Sequence, residues 1–189
     1  MMLRCLLLVI VGYLAGSLPF SVWLTRMGDR DVRAVGDGNP GAVNAFKAAG
    51  AAVGIAALLL DFLKGALPVA AAYWLVGLRG WWLTPVILAP VIGHMFPLFL
   101  RFRGGKALAV TFGVWTGVTL WEAPCVLGAA LLLGKLVLRW EQDAYSVLLG
   151  MNVLVLYVVA RYRSLPLSLA ALLCAVLVSW RHRRELAGQ

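Results

Sequence analysis

The sequence predicts an all-α, polytopic membrane protein of about seven transmembrane helices joined by short loops, with its N-terminus external. Three observations carry that expectation. Apolar residues make up 62% of the 189 positions and charged residues only 13%, and the mean hydropathy is +0.90, far outside the range of soluble domains. Apolar runs of spanning length follow one another from Leu3 to Trp180. No hydrophilic stretch between them is long enough to fold separately, so residues 1–189 read as a single integral-membrane domain. The formal charge of +9 raises nucleic acid as a partner. The basic residues, however, sit in short inter-helix loops rather than on one soluble face, which is positive-inside anchoring and argues for no nucleic acid.

The first span covers about Leu3 to Leu24. Gly16-Ser17-Leu18-Pro19 near its end predicts a kink, because proline removes a helical N–H and frees carbonyls. Arg4, the apolar run and Ala15-Gly16-Ser17 imitate a signal peptide, but the run continues through Trp23 and Leu24, so the segment is expected to be retained. Thr25 to Lys47 is polar and contains Gly36-Asp37-Gly38-Asn39-Pro40-Gly41-Ala42-Val43-Asn44. That composition resists a regular helix and suits a tight loop offering N–H groups and amide side chains. The second span, about Ala51 to Leu78, contains Asp61 and Lys64 at i, i+3 on one helical face. The pair either snorkels toward the interface or lines a polar site.

Trp81 to Leu100 supplies the third span, anchored by Trp81-Trp82 and made irregular by Pro85, Pro90 and Pro97, with His94 near its end. Ala107 to Leu138 is broken at Glu122-Ala123-Pro124 and reads as one long span or two short ones. Positive charge arbitrates. With seven spans, twelve basic residues fall on the cytoplasmic side (Arg26, Arg30, Arg33, Lys47, Arg101, Arg103, Lys106, Lys135, Arg139, Arg181, Arg183, Arg184) against four outside (Arg4, Arg79, Arg161, Arg163). One span fewer gives nine against seven, so the count favours seven. Ala144 to Ala160 and Ser164 to Trp180 complete the set. Cys5, Cys125 and Cys174 are odd in number and lie in apolar segments without Cys-x-x-Cys spacing, so they read as packing residues and no metal site is indicated.

The functional signal centres on Gly93 to Lys106, which sets His94, a proline-broken segment, Arg101, Arg103 and Gly104-Gly105-Lys106 at the end of a membrane helix. Adjacent glycines free the backbone to curl its N–H groups toward one point, and the flanking cations make the stretch an anion cradle with phosphate as first ligand. A lone histidine in an apolar helix is usually structural; His94 lies about one turn before the cations. In the seven-span topology the Asn39 loop, the Lys106 loop and the Arg181 to Arg184 tail share the cytoplasmic face, an arrangement for a cytosolic anion meeting a lipid-soluble ligand. No Ser-His-Asp order, His-x-x-x-x-Asp box, metal cluster or dinucleotide fingerprint appears, so neither a covalent acyl-enzyme nor a cofactor is indicated.

Several stretches together resemble the bacterial acyl-phosphate:glycerol-3-phosphate acyltransferases of phospholipid synthesis. They are Gly16-Ser17-Leu18-Pro19, Gly38-Asn39-Pro40-Gly41-Ala42 with Asn44, Asp61 with Lys64-Gly65, Gly93-His94 with Phe96-Pro97, Phe102-Arg103-Gly104-Gly105-Lys106, and Arg161-Tyr162 with Ser164-Leu165. The resemblance implies a multi-pass enzyme of the bacterial inner membrane, its site facing the cytoplasm. It would move an acyl group from acyl phosphate to sn-glycerol 3-phosphate, giving lysophosphatidate and phosphate. It implies that Gly104, Gly105 and Lys106 bind the glycerol phosphate, that Asn39, Gly41 and Asn44 shape the neighbouring site, and that His94 stands close by. The candidate catalytic residues are Asp37, Asn39, Lys47, His94 and His182; Gly38, Gly41, Asn44, Lys64, Arg103, Gly104, Gly105 and Lys106 are candidates for substrate binding. Implied partners are acyl phosphate, glycerol 3-phosphate and membrane lipid.

The chain departs from that family's pattern at site-type positions. Asp37 stands where serine is usual, Val43 for threonine, Lys47 for arginine, Ala107 for glycine, Val110 for threonine and Glu185 for asparagine. An aspartate beside a phosphate is adverse unless protonated or turned away, and a lysine lacks the bidentate fork of arginine. The alternative reading is a catalytically impaired paralogue that binds phosphate or lipid, or one acting on another polar acceptor.

Overall fold

The computed structural model describes residues 2–187, and among them there is no strand. The helices in order are α1 (Met2–Ser17), α2 (Phe20–Arg26), α3 (Ala42–Ala70), α4 (Leu83–Met95), α5 (Leu108–Thr119), α6 (Glu122–Leu132), α7 (Asp143–Tyr162), α8 (Leu165–Arg181) and the short α9 (Arg183–Leu186). Single π-helical turns, Ala71–Leu75 and Leu133–Val137, extend α3 and α6.

The breaks follow the chemistry of the chain. Leu18-Pro19 separates α1 from α2, as the prolyl kink requires. Within α3 the backbone leaves helical geometry at Gly50 (φ 84°, ψ −178°), so the expected second span, from Ala51, begins directly after a glycine break. Residues 42–47, expected within the polar loop segment, are helical and lie in about two turns that precede the break, and the Phe46 ring folds back over Gly54. The third span, Gly80–Leu100, keeps its expected extent but is made of three pieces: a 3₁₀ turn at Gly80–Trp82, α4 to Met95, where Pro97 prevents continuation, and a second 3₁₀ turn at Leu98–Leu100. Ala107 to Leu138 forms two helices, α5 and α6, parted at Leu120 (φ 56°, ψ −110°).

Helix α4 is the axis of the bundle, buried along nearly its whole length against α1, α8 and α5. Helix α5 packs on α3, α6 on α7, and α7 on α8. The main core gathers Ile87, Met95, Trp115, Leu127, Met151 and Leu154, all essentially inaccessible. Backbones approach closely where glycine leaves room: a Cβ on Gly113 would overlap the Phe62 carbonyl of α3, and one on Gly93 would overlap the Tyr13 carbonyl of α1. Such contacts hold helices together in lipid, where apolar burial alone does not distinguish protein from acyl chains. Cys5 and Cys174 are buried as expected, but Cys125 is exposed on α6 and is not a packing residue.

Four helical segments are long and apolar enough to cross a membrane: Met2–Arg26, Ala42–Leu75, Gly80–Leu100 and Asp143–Tyr162. Polar contacts mark the two ends of the bundle. At one end Lys106 meets Asp37 and Glu185. At the other, Glu122 accepts hydrogen bonds from Tyr157 (2.7 Å) and Tyr162 (3.0 Å), and Thr84 donates to the Pro166 carbonyl (2.8 Å).

Candidate active site

The first wall of the site is the loop before α3. Asp31 caps a one-turn 3₁₀ segment, Val32–Ala34, by accepting from the Arg33 N–H at 2.9 Å, and buried Val32 pins that turn to a small core with Val22, Ala45 and Ala57. Gly36 and Gly38 then take left-handed φ values of 60° and 70°, which turn the Asp37 carboxylate inward. One Asp37 oxygen accepts from the Asn39 N–H (3.1 Å) and the Asn44 amide (2.8 Å); the other lies 2.6 Å from Lys106 Nζ. Asn44 is buried and also donates to the Asn39 carbonyl at 2.9 Å. Lys47 reaches the same loop, since a Cβ on Gly36 would stand 3.2 Å from its ammonium. Among the described residues no carboxylate lies within ion-pairing distance of Lys47 or of exposed Arg103.

The second wall is the loop from α4 to α5, and here the geometry revises the anion-cradle expectation. The N–H groups of Gly104 and Gly105 do not converge on an open point: they donate to the Met95 and His94 carbonyls, each at 3.1 Å. The pair is instead a packing requirement. A Cβ on Gly104 would overlap the His94 carbonyl and Pro97, and one on Gly105 would overlap the His94 imidazole. The glycine carbonyls face the other way and accept from Arg181, Gly105 from Nε at 2.9 Å and Gly104 from the guanidinium end. Lys106 follows, and α5 starts just beyond it with no side-chain cap, leaving first-turn N–H groups without a helical partner.

The third wall is the α8–α9 corner. Glu185, in α9, reaches Lys106, so that ammonium is held between two carboxylates. Partial burial would lower the Lys106 pKa, but Asp37 and Glu185 outweigh it and raise the value above the ordinary one. Burial likewise pushes the Asp37 carboxyl up, yet the bonds from Lys106, the Asn39 N–H and Asn44 prevail and hold it at about 2. Asp37 is therefore ionised at neutral pH and turned onto the lysine. His182 is buried with Nδ1 2.8 Å from the Val178 carbonyl. A carbonyl only accepts, so Nδ1 carries the proton and Nε2 is left as the acceptor. Burial, the main influence, keeps the His182 pKa below its ordinary value, so the ring is neutral at pH 7.

Beneath these walls lies a buried polar tier. Lys64 donates to the Leu18 carbonyl at 2.8 Å, the group released by the helix break, and its ammonium is 2.6 Å from Asp61. The two opposite charges are thus paired inside the bundle. His94 Nδ1 stands 3.8 Å from Asp61 Oδ1, too far for a bond. Of the two readings for this pair, snorkelling is excluded by burial: both side chains are under 5% exposed. One small cleft touches both tiers, lined by Ser17, Ser21, Asp61, Lys64, His94 and Gly105.

Asp37, Asn39, Asn44, Lys47 and Lys106 thus share one corner, with Gly38 and Gly41 shaping its loop and His94 packed under Gly105. His182 stands at the α8–α9 corner, while Lys64 belongs to the deeper tier. Sequence reasoning missed Arg181 as the clamp on the glycine loop and Glu185 as a partner of Lys106. A cation closing an apolar helix reads as an interfacial anchor, and neither contact leaves a local spacing signal.

Comparison with known proteins places this geometry in context. The family model described as glycerol-3-phosphate acyltransferase matches residues 6–188. Glycerol-3-phosphate acyltransferase 1 of Thermotoga maritima is 35% identical over 192 aligned positions, covering 95% of this chain and 94% of the relative. The crystal structure of an integral membrane glycerol 3-phosphate acyltransferase in its glycerol 3-phosphate form superposes with a TM-score of 0.89 at 31% identity, covering 97% of this chain and 90% of that one. Its lysophosphatidic acid form gives 0.87 at 30% identity with the same coverage.

Proposed function

The chain belongs to the glycerol-3-phosphate acyltransferase family, and from that premise we propose that its acyl donor is an acyl phosphate and that the transfer proceeds without a covalent acyl-enzyme. The primary hydroxyl oxygen of sn-glycerol 3-phosphate attacks the acyl carbonyl carbon. The new ester C–O bond forms, the C–O bond to phosphate breaks, and the departing phosphate carries off the hydroxyl proton. Acyl phosphate is already activated, so the protein has to position two anions and neutralise their charge rather than supply a nucleophile.

The observation that carries this reading is the convergence on Lys106 of three chain segments: the Asp37 loop, the glycine loop and the α8–α9 corner. Lys106 is the candidate anchor for the acceptor phosphate, with Lys47 and the free N–H groups at the start of α5 beside it. In this proposal residues 1–189 are one domain of seven spans, the N-terminus external, in the bacterial inner membrane. The Lys106 end of the bundle then meets cytosolic glycerol 3-phosphate. The alternation of loops between the two bundle ends and the twelve-to-four basic bias support that orientation.

Purified protein given acyl phosphate and radiolabelled glycerol 3-phosphate is expected to form lysophosphatidate. Lys106→Ala, which removes a charge-assisted contact of about 1.5 to 3 kcal/mol, is expected to lower kcat/KM for glycerol 3-phosphate by roughly 10- to 150-fold. Absence of product from the wild-type protein overturns the reading.

A further inference from the structure

We propose that Glu185 tunes the affinity for the acceptor: its carboxylate is a resident partner of Lys106 that competes with the phosphate of the acceptor for that ammonium. This rests on the acyltransferase reading above and goes beyond it, by assigning the acceptor's affinity to a contact made within the chain.

The two carboxylates on Lys106 are held very differently. Asp37 is fixed by the Asn39 N–H and the Asn44 amide as well as by Lys106, and Asn44 is itself buried at the first turn of α3. Removing Asp37 from the lysine leaves two of its three hydrogen bonds intact, so the loop keeps its shape. Glu185 has Lys106 as its only side-chain partner among the described residues. It sits on the four-residue helix α9, past the end of α8, with a side chain one-third exposed. Releasing it therefore sacrifices one contact and exposes a carboxylate already in reach of water.

Charge argues for release. With both carboxylates in place Lys106 is over-neutralised, and the surplus negative charge offsets Lys47 beside it, so a phosphate dianion meets no net positive charge there. With Glu185 withdrawn, the remaining Asp37–Lys106 pair is neutral, and Lys47, free of any carboxylate among the described residues, supplies the positive field. The acceptor's phosphate takes the place of the Glu185 carboxylate, an anion for an anion, with no rearrangement of the loop before α3. Donor binding involves no exchange of this kind in the proposal, so the effect is confined to the acceptor.

The test compares wild type with Glu185→Gln, nearly isosteric but uncharged, in the lysophosphatidate assay and by calorimetric titration of glycerol 3-phosphate into the detergent-purified protein. Losing a partly exposed competing ion pair is expected to lower both KM and Kd for glycerol 3-phosphate about three- to fivefold, while KM for acyl phosphate moves by less than twofold. An unchanged or raised Kd for glycerol 3-phosphate in Glu185→Gln, at an unchanged melting temperature, overturns the proposal. If wild type forms no lysophosphatidate the acyltransferase reading fails instead, and the titration alone still decides whether Glu185 competes for the anion site.

Discussion

Asp37 shows how a residue's meaning depends on partners distant in sequence. Beside a phosphate site an aspartate reads as adverse; in the fold it is hydrogen-bonded by its own loop and turned onto Lys106. Its folded-state pKa of about 2 lies below the roughly 3.9 of an unfolded aspartate. The tie therefore stabilises the fold fully above about pH 4 and is lost as pH falls through about 2. The side chain is nearly half exposed, so screening limits this term to about 1 kcal/mol or less. Melting curves of wild type and Asp37→Asn are expected to differ at pH 6 and to converge near pH 2; a gap that persists at pH 2 contradicts the tie. Gly104-Gly105-Lys106 singled out Lys106 as a candidate from sequence. Its partner Glu185, 79 residues away, was not legible, because nothing in a local pattern says which carboxylate a fold returns to a cation.

For the elements, hydropathy and breakers gave the segmentation. Pro19, Gly50 and Pro97 stop or bend helices where a missing N–H or missing Cβ requires it, and Leu120 divides the stretch whose span number composition alone left open. The role of the glycine pair was misread for a physical reason: a Gly-Gly dipeptide serves equally to present N–H groups or to let another group come close. The backbone here chose the second, docking both N–H groups on the end of α4. Gly105→Ala is accordingly expected to lower stability by about 1 to 3 kcal/mol through overlap with the buried His94 ring. Gly77→Ala meets no atom and bears only the strain of φ 71°, about 1 kcal/mol. Thermal melts of the two variants check the order; a Gly77 variant melting below the Gly105 variant refutes it.

In the whole molecule, the proposed seven-span topology puts the loops at residues 27–41, 101–107 and 138–142 on one face of the membrane and those at 76–82, 120–121 and 163–164 on the other. With Cys125 replaced by Ser, single cysteines introduced at Arg33 and Gln142 are expected to react with an impermeant maleimide only in inside-out vesicles. Cysteines at Arg79 and Arg163 are expected to react only in right-side-out vesicles. Labelling of Arg33 and Arg79 from the same side excludes the topology. The membrane class and the order of the apolar helices were legible because lipid imposes long apolar runs. How the bundle folds its ends together was not, since contacts such as Tyr157 and Tyr162 on Glu122 depend on which helices become neighbours.

The Lys64 ammonium and the Leu18 carbonyl it occupies also bear on how the chain is made. Leu18 leaves the ribosome dozens of residues ahead of Lys64, with its carbonyl exposed by the proline that follows. Neither a bare carbonyl nor a lone aspartate and lysine is at ease in hydrocarbon. Asp61 and Lys64 travel on one helix turn and enter as a neutral couple, but the couple is completed only when it meets the earlier break. The buried polar groups of the first two passes are therefore satisfied only once the two are paired as a hairpin.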